Sequence, residues 1–102
     1  MENSIQKYIS EARESWGFKS EDPMLLVCGI MTEVGEVATA VRAKYVYNKP
    51  DVPEEDKSSL KHEMADVAIY LYALAEKCGV DLDSAIKSKI NINNNRFKSK
   101  ER

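Results

Sequence analysis

Four carboxylates in two evenly spaced pairs are the part of this sequence best suited to chemistry. Glu33 and Glu36 form a Glu-x-x-Glu, and Glu63 and Asp66 a Glu-x-x-Asp. Residues three apart are neighbours on a helix, so each pair sets two acids side by side if its segment is helical. Burying one unpaired carboxylate is costly, and burying four together is worse. Protonation, pairing with Lys or Arg, or a shared cation would relieve that cost. Hard divalent cations prefer oxygen ligands, and Mg²⁺ takes one or two carboxylates alongside waters and substrate phosphates. The plain alternative is that these acids lie at the edge of an apolar stripe and are solvated. A di-iron centre would require two Glu-x-x-His motifs. The sole histidine, His62, has Ser59 three residues before it and reads as a surface residue.

The elements that must position these acids read as helices. Glycine and proline gather at residues 17–23, at 48–53 and at Gly79. Between these breaks the apolar residues recur at three and four, not at two, which predicts an all-α chain. A first helix is expected from about Ser4 to Trp16, its stripe made by Ile5, Tyr8, Ile9, Ala12 and Trp16. Asp22-Pro23 reads as an N-cap and first helical position. The second helix should run from there to about Tyr45. Pro53-Glu54-Glu55-Asp56 should start a third, with acids favoured in its first turn by the helix dipole. It should end at Cys78-Gly79. Asp81 or Asp83 should cap a fourth helix reaching about Phe97, with residues 98–102 a frayed tail. Asn91 to Asn95 weaken the end of that helix on propensity.

The stripe of the second helix reads Leu26, Ile30, Val34, Val37 and Val41, and that of the third Leu60, Met64, Val67, Leu71 and Leu74. Glu33 falls between Ile30 and Val37, about 60° from one and about 40° from the other. Glu63 and Asp66 flank the third helix's stripe in the same way. Both pairs therefore sit on or beside faces expected to be buried.

The chain has 102 residues, enough for one domain. Such a monomer buries roughly 60–65% of its unfolded surface, so association would help it. With 15 Lys+Arg against 17 Asp+Glu the net charge is -2, which gives no reason to expect a nucleic-acid partner. The longest apolar run, Met24 to Met31, is far short of the roughly 18–20 residues of a membrane span. The N-terminus lacks the pattern of a secretory signal. Cys28 and Cys78 make no disulfide framework and read as buried free thiols, in keeping with a cytoplasmic setting.

Glu33-Val34-Gly35-Glu36-Val37, followed by Glu63-Met64-Ala65-Asp66-Val67-Ala68-Ile69-Tyr70, resembles the MazG-like, all-α nucleoside triphosphate pyrophosphohydrolase superfamily. Lys89, Asn93, Arg96 and Phe97 reproduce that family's Lys-x3-Asn-x2-Arg-aromatic pattern. Trp16 and Phe18 resemble the aromatic pair of its dCTP pyrophosphatase branch. The resemblance spans about residues 5 to 97. It implies four or five helices, with a four-helix-bundle core completed by dimerisation, and homodimers or homotetramers. It implies cleavage of a nucleoside triphosphate between the α and β phosphates, in nucleotide-pool housecleaning. Glu33, Glu36, Glu63 and Asp66 would bind Mg²⁺, with Glu36 also accepting the water's proton. Lys89 and Arg96 would hold phosphate and Asn93 would hydrogen-bond the nucleotide. Tyr70 and Trp16 would contact base or sugar.

Two positions depart from the dCTP-preferring branch. Ala43 stands where that branch carries an aromatic, and Lys19 where it carries a histidine, so base preference is not implied. A phosphoribosyl-ATP pyrophosphohydrolase, a dUTPase-like enzyme and a non-catalytic nucleotide-binding or dimerisation bundle remain the alternatives. Residues 1–102 are expected to form a single domain without membrane or nucleic-acid partners.

Overall fold

The computed structural model describes residues 4–17, 22–53 and 56–100. They form α1 (Ile5–Ser15), α2 (Pro23–Tyr45), α3 (Leu60–Lys77) and α4 (Leu82–Lys100), with no strand among the described residues. Three of the four starts are written in capping chemistry. The Ser4 hydroxyl accepts from the Lys7 amide at 3.1 Å, and Asp22 accepts from the Met24 amide at 2.7 Å ahead of Pro23. Asp81 accepts from the Ser84 amide at 3.1 Å and opens α4. Gly79, at φ +69, closes α3 in the left-handed conformation that glycine adopts without a Cβ clash.

α3 starts seven residues later than the Pro53 expected from sequence. Asp56 and Ser58 take the chain into a tight turn instead. The Asp56 carboxylate accepts from both the amide (2.8 Å) and the hydroxyl (2.7 Å) of Ser58. Such local side-chain bonds compete with helix formation. Glu54 and Glu55 lie outside the described residues, as do Phe18, Lys19 and residues 101–102. α4, by contrast, continues through its asparagines to Lys100, past the expected end at Phe97. Propensity is a weak prior, and an otherwise uninterrupted helix overrides it.

α2 and α3 form an antiparallel hairpin. Glu36 meets Glu63 at one level, and Gly29 meets Tyr70 at another. α1 lies against α3, and α4 packs on α1. Gln6 ties these pieces together. Its side chain donates to the Val80 carbonyl at 2.8 Å and accepts from the Leu82 amide at 2.6 Å. Asp83 accepts from the Tyr72 hydroxyl at 2.7 Å and from the Gln6 amide at 3.3 Å.

The line along which the helices pair is not the expected apolar stripe. Leu26 is fully buried, and Ile30, Val37, Leu60, Val67 and Leu74 are partly covered. Val34, Val41, Met64 and Leu71 are exposed, whereas Glu63 is 7% exposed. Gly29 leaves room for the Tyr70 ring beside α2, and much of the expected stripe faces outward. Cys28 and Cys78 are free thiols, but both are exposed rather than buried. The fold is correspondingly open. Its radius of gyration is 16.6 Å, against about 13 Å for a compact chain of this length. Its accessible surface of 7789 Å² exceeds by about a third the roughly 5,800 Å² typical of this mass. By length and composition α2 is also long and apolar enough to cross a membrane, because small and uncharged residues flank its eight-residue apolar run.

Candidate metal centre and cleft

Glu33 and Glu36 come from the middle of α2, and Glu63 from the first turn of α3. Each offers an oxygen within 4.8 Å of the others. One oxygen of Glu33 and one of Glu63 are buried without any hydrogen-bond partner. Burial pushes the Glu33 carboxyl above the ordinary carboxylate range, and the charges of Glu36 and Asp66 add to this. Glu63 is also pushed up, first by its hydrogen bond to Glu36, then by burial and by Glu36, Asp66 and Glu33. Protons and cations compete for such a site. Three convergent carboxylates, two of them with an orphaned buried oxygen, fit a hard divalent cation. Asp66 is half-buried beside the three and lies near enough to raise both Glu33 and Glu63, without being one of the convergent trio.

A cleft of about 570 Å³ opens next to the acids. Glu36, Glu63 and Asp66 line it together with Thr39, Ala40 and Ala43 of α2 and Lys57 and Ser58 of the α2–α3 loop. That volume is within the usual range of small-molecule sites. Ala43 thus lies on the cleft wall. Lys57, Ser58, Thr39 and Ala40 were not singled out from sequence, because their spacing carries no pattern of its own. The Asp56-x-Ser58 and Ser59-x-x-His62 spacings were the available signals. His62 is not a plain surface residue: its Nδ1 lies 3.0 Å from the Asp56 carbonyl and 3.2 Å from the Ser59 hydroxyl.

The other expected residues lie elsewhere in the chain. The Tyr70 ring is half-buried against Gly29, with the Arg13 guanidinium 5.9 Å from its centroid. Trp16 caps α1 and is 55% exposed. Lys89, Asn93 and Arg96 all sit on α4, outside the cleft lining. Lys89 and Arg96 are exposed, and the Arg96 guanidinium stands 5.2 Å over the Phe97 ring. Asn93 is half-buried, and its side-chain oxygen has no hydrogen-bond partner.

Two acidic pairs facing each other across an α-hairpin are the feature to set beside known proteins. The model of the MazG-like family matches residues 25–102, which include both pairs and the α4 residues. The chain belongs to the MazG-like family. It is 38% identical over 77 residues to dCTP pyrophosphatase 1 of Mus musculus, covering 74% of this chain and 45% of that protein. It is 35% identical over 88 residues to the uncharacterised protein YvdC of Bacillus subtilis (strain 168), covering 81% of this chain and 83% of that one. The chain therefore spans about half the length of the dCTP pyrophosphatases it matches. The crystal structure of iMazG from Vibrio DAT 722 superposes with a TM-score of 0.67 at 26% identity, covering 89% of this chain and 98% of that one. The MazG-like, all-α fold expected from the sequence is thus the fold of this chain.

Proposed function

We propose that this MazG-like chain is a Mg²⁺-dependent nucleoside triphosphate pyrophosphohydrolase. It would convert a (d)NTP to the (d)NMP and pyrophosphate, in the cytoplasm, as a nucleotide-pool housecleaning enzyme of one domain. The observation that carries this reading is the convergent trio of Glu33, Glu36 and Glu63 beside a cleft, with a buried, unpartnered oxygen on Glu33 and another on Glu63. Kinship with dCTP pyrophosphatases supports the reaction class.

Glu33, Glu36, Glu63 and Asp66 would hold the metal. Bound there, Mg²⁺ would neutralise phosphate charge and lower the pKa of a coordinated water. Glu36 is the exposed member of the trio, with a carboxylate oxygen within 4.8 Å of both partners. It is therefore the residue placed to accept the proton of the attacking water. Water adds at the α-phosphorus, the bond to the bridging α–β oxygen breaks, and pyrophosphate leaves with that electron pair. Tyr70, Trp16, Lys89, Asn93 and Arg96 would hold the nucleotide.

The chain would work as a homodimer, or as two paired dimers. Exposed Met31, Val34, Met64 and Leu71 on the hairpin, and Ile86, Ile90, Ile92 and Phe97 on α4, are the surface that a second copy would cover. Apolar exposure on this scale is a mark of an interaction face. Sedimentation should give at least twice the 11.6 kDa chain mass.

The deciding assay is pyrophosphate release from dCTP, dUTP, ATP, other ribo- and deoxyribonucleotides and phosphoribosyl-ATP, with Mg²⁺ and with EDTA. Mg²⁺-dependent release, with the monophosphate as co-product, supports the reading, and the fastest substrate identifies the base. Nucleotide binding without release would make the chain a sensor instead.

A further inference from the structure

The loop joining α2 to α3 is fastened at both ends. Both Asp51 carboxylate oxygens lie 3.2 Å from the Leu60 amide, the first of α3, and one of them also accepts from the Val52 amide at 2.8 Å. At the far end His62 holds the Asp56 carbonyl. A carbonyl can only accept, so the proton in that bond belongs to Nδ1 of the ring. Ser59, 2% exposed, closes the same knot through its hydroxyl. Asp56 occupies both the amide and the hydroxyl of Ser58. Of the loop residues that reach the cleft, this leaves the side chain of Lys57 to meet a ligand.

Three of the residues lining the cleft are acids, and Lys57 is its cationic lining residue. Lys57 forms no ion pair among the described residues, although those carboxylates share the space. A polyphosphate approaching this wall is repelled by the acids unless cations intervene, and a bound divalent ion offsets only part of that charge. Lys89 and Arg96 stand on α4 outside this lining. We infer that Lys57 is a phosphate-binding residue of this site, its ammonium meeting the pyrophosphate part of the substrate. The inference rests on the nucleotide reading above and adds to it a residue that the acidic pairs do not reveal. The Asp51 and His62 bonds are positioning contacts that keep the loop against the cleft.

The test is calorimetric titration of the full chain with Mg²⁺ alone and then with inorganic pyrophosphate in excess Mg²⁺. It compares wild type, Lys57→Gln, Lys57→Arg and, as a control on exposed α4, Lys98→Gln. Loss of a charge-assisted contact should weaken pyrophosphate binding about tenfold in Lys57→Gln, with most of it restored in Lys57→Arg and no change in Lys98→Gln. Mg²⁺ alone should bind Lys57→Gln at least as tightly as wild type, because a repelling cation has left the neighbourhood of the acids. Unchanged pyrophosphate affinity in Lys57→Gln overturns the inference. So does a parallel loss of Mg²⁺ affinity, which would mean that the cleft itself had been disturbed. The two readings separate cleanly. A wild type that binds pyrophosphate through Lys57 yet hydrolyses no nucleotide overturns the hydrolase alone. An active enzyme whose KM ignores Lys57→Gln overturns Lys57 alone.

Discussion

Substituting Gly29 with alanine should destabilise the protein, against the usual benefit of alanine in a helix. A Cβ built on Gly29 would lie 2.6 Å from Cε1 and 2.9 Å from Cδ1 of Tyr70. Non-bonded carbons settle at about 3.5–4.0 Å, so the ring or the helix must retreat by about 1 Å. The ring has little room, being packed between α2 and Arg13, which is itself 7% exposed. Overpacking of this kind costs about 1–3 kcal/mol. Alanine returns about 1 kcal/mol of helix propensity. The net expectation is a loss of up to about 2 kcal/mol, or a Tm lower by up to about 16 °C for a domain of this size. Gly35, on the same helix, has nothing within 4 Å of its would-be Cβ, so Gly35→Ala should gain up to about 1 kcal/mol. Thermal and urea unfolding of both variants measure this contrast. Adding Tyr70→Leu should remove most of the Gly29→Ala penalty, because neighbouring sites couple by about 0.5–3 kcal/mol. If Gly29→Ala were as stabilising as Gly35→Ala, the close approach of α2 and α3 would be refuted, and the geometry of the carboxylate site with it.

Glu63→Gln removes a charge from a buried cluster of like charges, so in EDTA its Tm should equal or exceed that of wild type. The same variant should lose the Mg²⁺-induced rise in Tm, which is about 2.7 kcal/mol of stabilisation at a hundredfold excess over Kd. The pH profile of the metal-free protein follows from the carboxyls. Glu33 and Glu63 bind protons more tightly folded than unfolded, so their contribution is present below 4.5 and is lost as pH rises through their raised folded values. Asp56 and Asp81 are held below 3.8 by bonds from Ser58 and Ser84, so they oppose unfolding above that pH and lose this effect on acidification. Tm measured from acid to neutral pH in EDTA should therefore peak in mild acid, and saturating Mg²⁺ should flatten its neutral limb. Tyr72→Phe removes the donor to Asp83 and should cost about 1–3 kcal/mol in urea unfolding.

Much of this was readable before the structure. Ser4, Asp22-Pro23 and Gly79 mark their helix ends because caps and left-handed closures are local chemistry. The four acids were readable as a candidate site because their spacing conflicts with burial, and three of them converge. The start of α3 was not readable, since Pro53 and three acids signal a helix as strongly as they signal a turn, and the Ser58 bonds to Asp56 decide between them. The orientation of α2 and α3 was not readable either. A stripe of Val34, Val41, Met64 and Leu71 says that a face is apolar, not which neighbour covers it, and Gly29 opposite Tyr70 is a pairing between distant positions. The role of the loop around Lys57 likewise arises only once the hairpin closes.

The clasp made by Gln6 also bears on how the chain assembles. Its bonds reach Val80 and Leu82, positions 74 and 76 residues away, whereas the hairpin of α2 and α3 joins segments close in sequence. Closing the longer loop carries the larger entropy cost and rewards the chain only after the distant turn exists. On a ribosome, α1 emerges first yet must wait for the turn after α3 before it can dock. α1 is thus fastened only after the hairpin that carries the acids is complete, and α4, which packs on α1, follows it.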